Sequence, residues 1–130
     1  MILLLDTSTA DCHLTLYDED ILLLEDTWHA DRELAEKLLG YIQEKITQVG
    51  KILEDISGIG IMKGPGSFTG LRISASVCNT LAADRNIPIV GVTAGDEWQS
   101  IALERLLSGE DDQIVLPDYG RPARITQPRK

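Results

Sequence analysis

The sequence is short of the residues that build most catalytic and metal centres: it has two cysteines, two histidines and 5% aromatic residues. Cys12 and Cys78 lie far apart in apolar surroundings, which predicts buried thiols in a reducing compartment rather than a bridge or a metal site. His13 and His29 have no second His or Cys at the three- or four-residue spacing of a zinc site, and nothing in the spacing joins either one to Ser8 or Ser67 as a triad. No apolar run extends beyond Met1 to Leu5, whereas a membrane span needs about 20 such residues. Asp6 and the missing basic flank do not fit a secretory signal, so a cytosolic protein is expected. Positive charge is also scarce. Twelve Lys and Arg against 21 Asp and Glu give a net charge of -9, so the body of the protein should repel a phosphate backbone.

What remains is ordinary globular material. The chain has 130 residues, 43% of them hydrophobic and 25% charged, enough for one compact core. The acidic balance reverses only at the end, where Arg121, Arg124, Arg129 and Lys130 follow the last acidic residue, Asp118. That tail is suited to approach RNA or an acidic neighbour, or to sit solvated at the end of the chain.

Hydrophobic periodicity predicts the order of elements. Met1 to Leu5 reads as a central strand covered on both faces, stopped by the turn-forming Asp6-Thr7-Ser8-Thr9. Cys12, Leu14 and Leu16 alternate with His13, Thr15 and Tyr17 as in a half-exposed strand. Asp18-Glu19-Asp20 turns the chain and Ile21 to Thr27 returns alongside. From Asp31 the period becomes helical through Leu34, Leu38, Ile42, Ile46 and Val49, with Asp31 expected as N-cap and Gly50 as the terminating glycine. Tyr41 and Leu39 widen the apolar stripe beyond what one sheet face requires. Ile56 to Met62 reads as a buried strand, followed by Gly64 to Gly70 and a helix from about Phe68 to Asp84. Ser74, Ala75, Ser76, Cys78, Ala82 and Ala83 make that helix small-sided, so another helix could pack close to it. Ile87 to Val92 is a third buried strand, and Thr93 or Asp96 starts a last helix through Leu107. Glu110-Asp111-Asp112 reads as a hydrophilic linker, followed by a short apolar stretch at Ile114 to Leu116. The expected fold is α/β, βββαβαβα, with a mixed sheet, an antiparallel meander followed by parallel βα units, as in one lobe of actin-like and ribonuclease H-like proteins. The expected division is a lobe over residues 1–109 and a tail over 110–130.

Two segments could carry chemistry. Gly64-Pro65-Gly66-Ser67-Phe68-Thr69-Gly70 joins a strand to a helix, so Gly64, Gly66, Ser67 and Thr69 could present backbone N–H groups to an anion. It lacks the Gly-Lys-Ser/Thr of a Walker loop. The simpler reading is a tight turn with Ser67 as helix cap. Asp6 ends the first strand where actin-like folds place a magnesium-linked aspartate, but Ser8 stands where such hairpins favour glycine. The simpler reading is a strand-terminating turn residue.

The strings GPGSFTGLR (Gly64 to Arg72) and ILLLDTSTADCHLTLYD (Ile2 to Asp18) resemble the TsaB family, and RELAEKLLGYI (Arg32 to Ile42) is similar to its first helix, with Leu34 in place of a histidine and Gly40 in place of a proline. Pro117-Asp118-Tyr119-Gly120-Arg121-Pro122 resembles the family's C-terminal tail. The family is actin-like and two-lobed, so the resemblance implies a natural short form with one lobe and the tail retained. It also implies a non-catalytic dimerization subunit, with no cofactor, of the machinery that makes N6-threonylcarbamoyladenosine at position 37 of tRNA. Its partners would be a TsaD-like transferase, a TsaE-like ATPase reached through the complex, or a second copy of itself, and tRNA would be met only indirectly or through the tail. TsaD binds iron or zinc through His-x-x-x-His, whereas the corresponding Thr93-Ala94-Gly95-Asp96-Glu97-Trp98 holds no histidine, so no metal chemistry carries over. By this resemblance the partner interface is the two-helix face, with Leu39, Leu71, Arg72, Ala75 and Asn79 the expected contacts. An actin-like nucleotide-binding or ATP-hydrolysing protein, using Asp6 and the Gly64–Gly70 loop, is the alternative.

Overall fold

The computed structural model describes residues 1–120. Five strands form one mixed sheet in the order β3-β2-β1-β4-β5. β1 (Ile2–Asp6), the most apolar strand, lies at the centre. β2 (Asp11–Asp18) and β3 (Ile21–His29) follow it as an antiparallel meander, while β4 (Gly58–Gly64) and β5 (Ile89–Thr93) lie parallel to it on the other side. Helices α1 (Leu34–Gln48) and α2 (Phe68–Arg85) cover one face, and α3 (Trp98–Leu107) covers the other. Alternation along β1 feeds both layers. Leu3 and Leu5 enter the core under α1 and α2, whereas Ile2 and Leu4 pack with Val90, Trp98, Ala102 and Leu106 beneath α3. This is the order and sheet type expected for one actin-like, ribonuclease H-like lobe.

Several boundaries differ from the expectation for local reasons. Asp31 is not the N-cap of α1. It sits at φ +46°, and the chain makes a single 3-10 turn over Asp31–Glu33 before α1 begins at Leu34 without a side-chain cap. The reversal out of β3 is held instead by the Ala30 and Asp31 N–H groups, which both donate to the Ala10 carbonyl, at 3.1 and 3.0 Å. Gly50, at φ +76°, does terminate the helix. β5 starts at Ile89 rather than Ile87, after Pro88, which has no N–H to give a neighbouring strand. α3 starts at Trp98, later than Thr93 or Asp96.

Glu110 to Gly120 is tied to the lobe rather than hanging from it. Asp112 N–H donates to the Ile89 carbonyl at 2.8 Å, the Asp111 and Asp112 carboxylates accept from the Ile89 and Gly91 N–H groups, and the Arg105 guanidinium donates to the Gly91 carbonyl. The N–H and carbonyl groups of Ile89 and Gly91 on the outer edge of β5 are thereby closed. Val115 is 3% exposed, and further on Asp118 N–H donates to the Lys63 carbonyl at 2.7 Å. No described helix is long and apolar enough to cross a membrane.

Candidate functional site

The glycine-rich loop is packed against the turn that follows β1. Ser67 N–H donates to the Ser8 carbonyl at 2.7 Å, and the Thr7 hydroxyl, fully buried, donates to the Gly70 carbonyl at 2.8 Å. A Cβ on Gly66 would lie 2.5 Å from Ser8 Cβ, and one on Gly70 would lie 2.2 Å from the Thr7 carbonyl oxygen. Gly64, at φ +122°, meets the Asp118 carbonyl in the same way. The glycines are therefore accounted for by backbone-to-backbone approach within the chain. Ser67 caps α2, its Oγ accepting from Gly70 N–H at 3.3 Å. Asp6 accepts from Ser8 N–H at 2.9 Å, the geometry of a turn aspartate, and Thr69 is exposed at the first turn of α2.

Neither histidine joins a metal-type cluster. His13 Nδ1 lies 2.9 Å from the Thr27 hydroxyl and His29 Nδ1 lies 2.6 Å from Asp11 Oδ1. Among the described residues no group of three or more His, Cys, Asp or Glu is placed to hold a metal ion. Cys12 and Cys78 are buried and free, and burial above all pushes both thiols up to about 12.

The two-helix face divides the expected contacts. Leu39 on α1 is 43% exposed, and Arg72 on α2 is exposed with its guanidinium 5.5 Å from the Phe68 ring centroid. Leu71 and Ala75 are 1% and 5% exposed, which corrects their assignment: they look into the lobe, not out of it. The cause is the inward stripe Leu71, Ala75, Cys78, Ala82, spaced four, three and four residues apart. Most of the small side chains on α2 thus let the helix sit close to its own sheet. Tyr41 likewise belongs to the lobe. Its ring packs on Trp28 with centroids 4.8 Å apart, and its hydroxyl donates to Asp26 Oδ2 at 2.6 Å. Asn79 holds Val115 through both ends of its carboxamide.

What α1 and α2 present outward is a groove of about 480 Å³ lined by Ala35, Thr69, Arg72, Ile73, Ser76 and Val77. Ala35, Ile73 and Val77 are the residues that sequence reasoning missed, whereas Ser76 is among the small side chains it named. Once the Leu71–Ala82 stripe is set inward, helical periodicity alone puts these α2 positions on the opposite side. At the start of α2, Tyr119 stacks on Phe68 with centroids 4.3 Å apart, so this side chain lies against the helix. Arg121, Arg124, Arg129 and Lys130 lie outside the described residues.

Sheet order and helix placement define a single lobe of the actin-like, ribonuclease H-like class. A family model described as TsaD, tRNA N6-adenosine threonylcarbamoyltransferase, matches residues 28–115. The tRNA threonylcarbamoyladenosine biosynthesis protein TsaB of Escherichia coli (strain K12) is 30% identical over 121 residues, spanning 87% of this chain and 51% of the relative. TsaB of Buchnera aphidicola is 30% identical over 129 residues, 95% of this chain and 61% of the relative. The solved structure of YeaZ from Pseudomonas aeruginosa superposes with a TM-score of 0.65 at 33% identity, over 71% of this chain and 43% of that one. The chain belongs to this family and is a TsaB/YeaZ-like protein. It spans about half the length of the curated TsaB relatives it matches.

Proposed function

We propose that this chain is a non-catalytic subunit in the formation of N6-threonylcarbamoyladenosine at position 37 of tRNA, and that it acts by docking a TsaD-like threonylcarbamoyltransferase against α1 and α2. The observation that carries this reading is the outward groove of Ala35, Ile73, Ser76 and Val77, flanked by Leu39 and Arg72. It combines small positions that admit a close helix with branched apolar shoulders and one guanidinium, the composition of a helix–helix interface core. The pathway named for the TsaB relatives supports this reading, and the close packing of the Gly64–Gly70 loop within the lobe leaves the nucleotide alternative without a favouring contact. A TsaE-like ATPase would join through the transferase, and a second copy would compete for the same groove.

The test is co-expression with the TsaD-like protein of the same organism, followed by size-exclusion chromatography. Ser76→Arg puts a long cation in the middle of the groove and is expected to abolish co-elution, while Glu104→Arg on the exposed side of α3 leaves it intact. Co-elution that survives Ser76→Arg, or threonylcarbamoyl transfer by the chain alone, contradicts the proposal.

A further inference from the structure

The two edges of the sheet are treated differently. β5 is closed by Asp111, Asp112 and Arg105, whereas β3 pairs only with β2, and among the described residues no other hydrogen bond reaches its backbone. An open edge is a template for strand addition. Beside it, between β3 and α1, lies a groove of about 710 Å³ whose apolar wall is the Trp28–Tyr41 pair. Gly40 lines the groove from the middle of α1, where glycine costs a helix roughly 0.5–1 kcal/mol relative to alanine. Nothing in the lobe demands it, because a Cβ there would meet no atom within 4 Å. Its missing side chain widens a groove that the chain itself does not fill.

We propose that this edge and groove receive an extended peptide segment of net positive charge, added as a sixth strand beside β3, with an apolar side chain set against Trp28 and Tyr41. Charge selects the occupant. Of the cationic groups that line the groove, Lys45 is shared between Asp26 and Glu44, at 3.6 and 3.8 Å, with only 14% of its side chain exposed, Lys37 is paired with Glu33 at 3.2 Å and His29 with Asp11 at 2.6 Å, while no described ion pair involves Glu36 on the groove wall. A second copy is disfavoured, because antiparallel pairing of β3 with β3 about its middle would set Glu25 directly opposite Glu25 of the other copy, or opposite its Asp26 after a shift of one residue. Main-chain hydrogen bonds would give affinity and the rim carboxylates would set polarity. This groove lies on the β3 side of α1, away from the one shared with α2, so the proposal stands apart from transferase docking.

The experiment is fluorescence anisotropy of the full chain with a labelled decapeptide of alternating lysine and valine. Two further probes accompany it: the alternating glutamate and valine peptide, and the lysine peptide N-methylated at every second residue. Saturable binding of the lysine peptide is expected, at least about tenfold tighter than either other probe. Gly40→Phe, folded by circular dichroism, should weaken it by a similar factor. No saturation up to about 1 mM peptide overturns the proposal, as does binding indifferent to N-methylation, which would mark a purely electrostatic encounter. Concentration-dependent self-association through β3 without peptide would also overturn it, by assigning the edge to a second copy. Should Gly40→Phe fail to fold, the methylated probe decides the matter alone.

Discussion

Asn79 and Val115 exchange two hydrogen bonds across 36 residues of sequence: the Asn79 Nδ2 donates to the Val115 carbonyl at 2.9 Å, and the Val115 N–H donates to the Asn79 Oδ1 at 2.8 Å. The side-chain amide imitates a strand neighbour and fastens the segment after α3 onto α2. Truncating it orphans two backbone groups at a nearly buried residue.

Asn79→Ala is therefore expected to destabilise the fold by roughly 1–3 kcal/mol. Urea denaturation measures this, and hydrogen exchange should show faster opening at Val115 and Gly91 than at β1. A loss under about 0.5 kcal/mol would mean that water replaces the clamp without cost.

The inward and outward sides of α2 make neighbouring substitutions unequal. Leu71→Ala removes a buried side chain and should cost about 2–5 kcal/mol. Arg72→Ala removes an exposed guanidinium over Phe68 and should cost less than about 1 kcal/mol. Equal costs in thermal or urea unfolding would reverse the facing described for this helix.

Acid should loosen the segment beside β5. Burial pushes the Asp112 carboxyl up, but the Gly91 N–H and the Arg105 guanidinium outweigh it and hold the group below its ordinary value. A carboxyl whose folded pKa is depressed stabilises the fold at any pH above its unfolded pKa, near 3.9, and loses that contribution as pH falls through the lower folded value. Urea midpoints measured downward from about pH 5 should fall less steeply in Asp112→Asn than in the parent. Parallel curves would show that Asp112 does not carry the acid sensitivity.

Both thiols should be silent in the native protein. With Cys12 and Cys78 buried and pushed up to about 12, almost no thiolate exists at neutral pH. Ellman's reagent should modify neither cysteine in buffer at pH 8 and both in denaturant. Rapid native labelling of either would place that thiol at an accessible surface.

The sheet was readable because its pattern is periodic. The apolar run of β1, the alternation in β2 and the change to a helical period after Asp31 led to the observed strand order and to both long helices. The segment beside β5 was not readable, because it is held by Asp111, Asp112, Arg105 and Asn79 bonding to backbone, which leaves no hydrophobic period. Asp31 misled for a related reason: an acidic residue ahead of a helix signals a cap only if the backbone enters in an extended conformation, and here a turn out of β3 imposes a positive φ. At the glycine loop, composition favoured a packed turn without excluding an anion cradle, and only the approach of Thr7 and Ser8 distinguishes what the glycines do. On α2, the spacing of Leu71, Ala75, Cys78 and Ala82 already contained the facing, which attention to small residues alone obscured.

Because, among the described residues, one margin of the sheet is bonded by its own chain while the other pairs with no further strand, the lobe has a valence of one for strand exchange. A second lobe that joins at β3 presents a closed margin at its far end, so growth stops after a single addition. A guest strand of the kind proposed would then be taken up without making the molecule the first unit of a fibre.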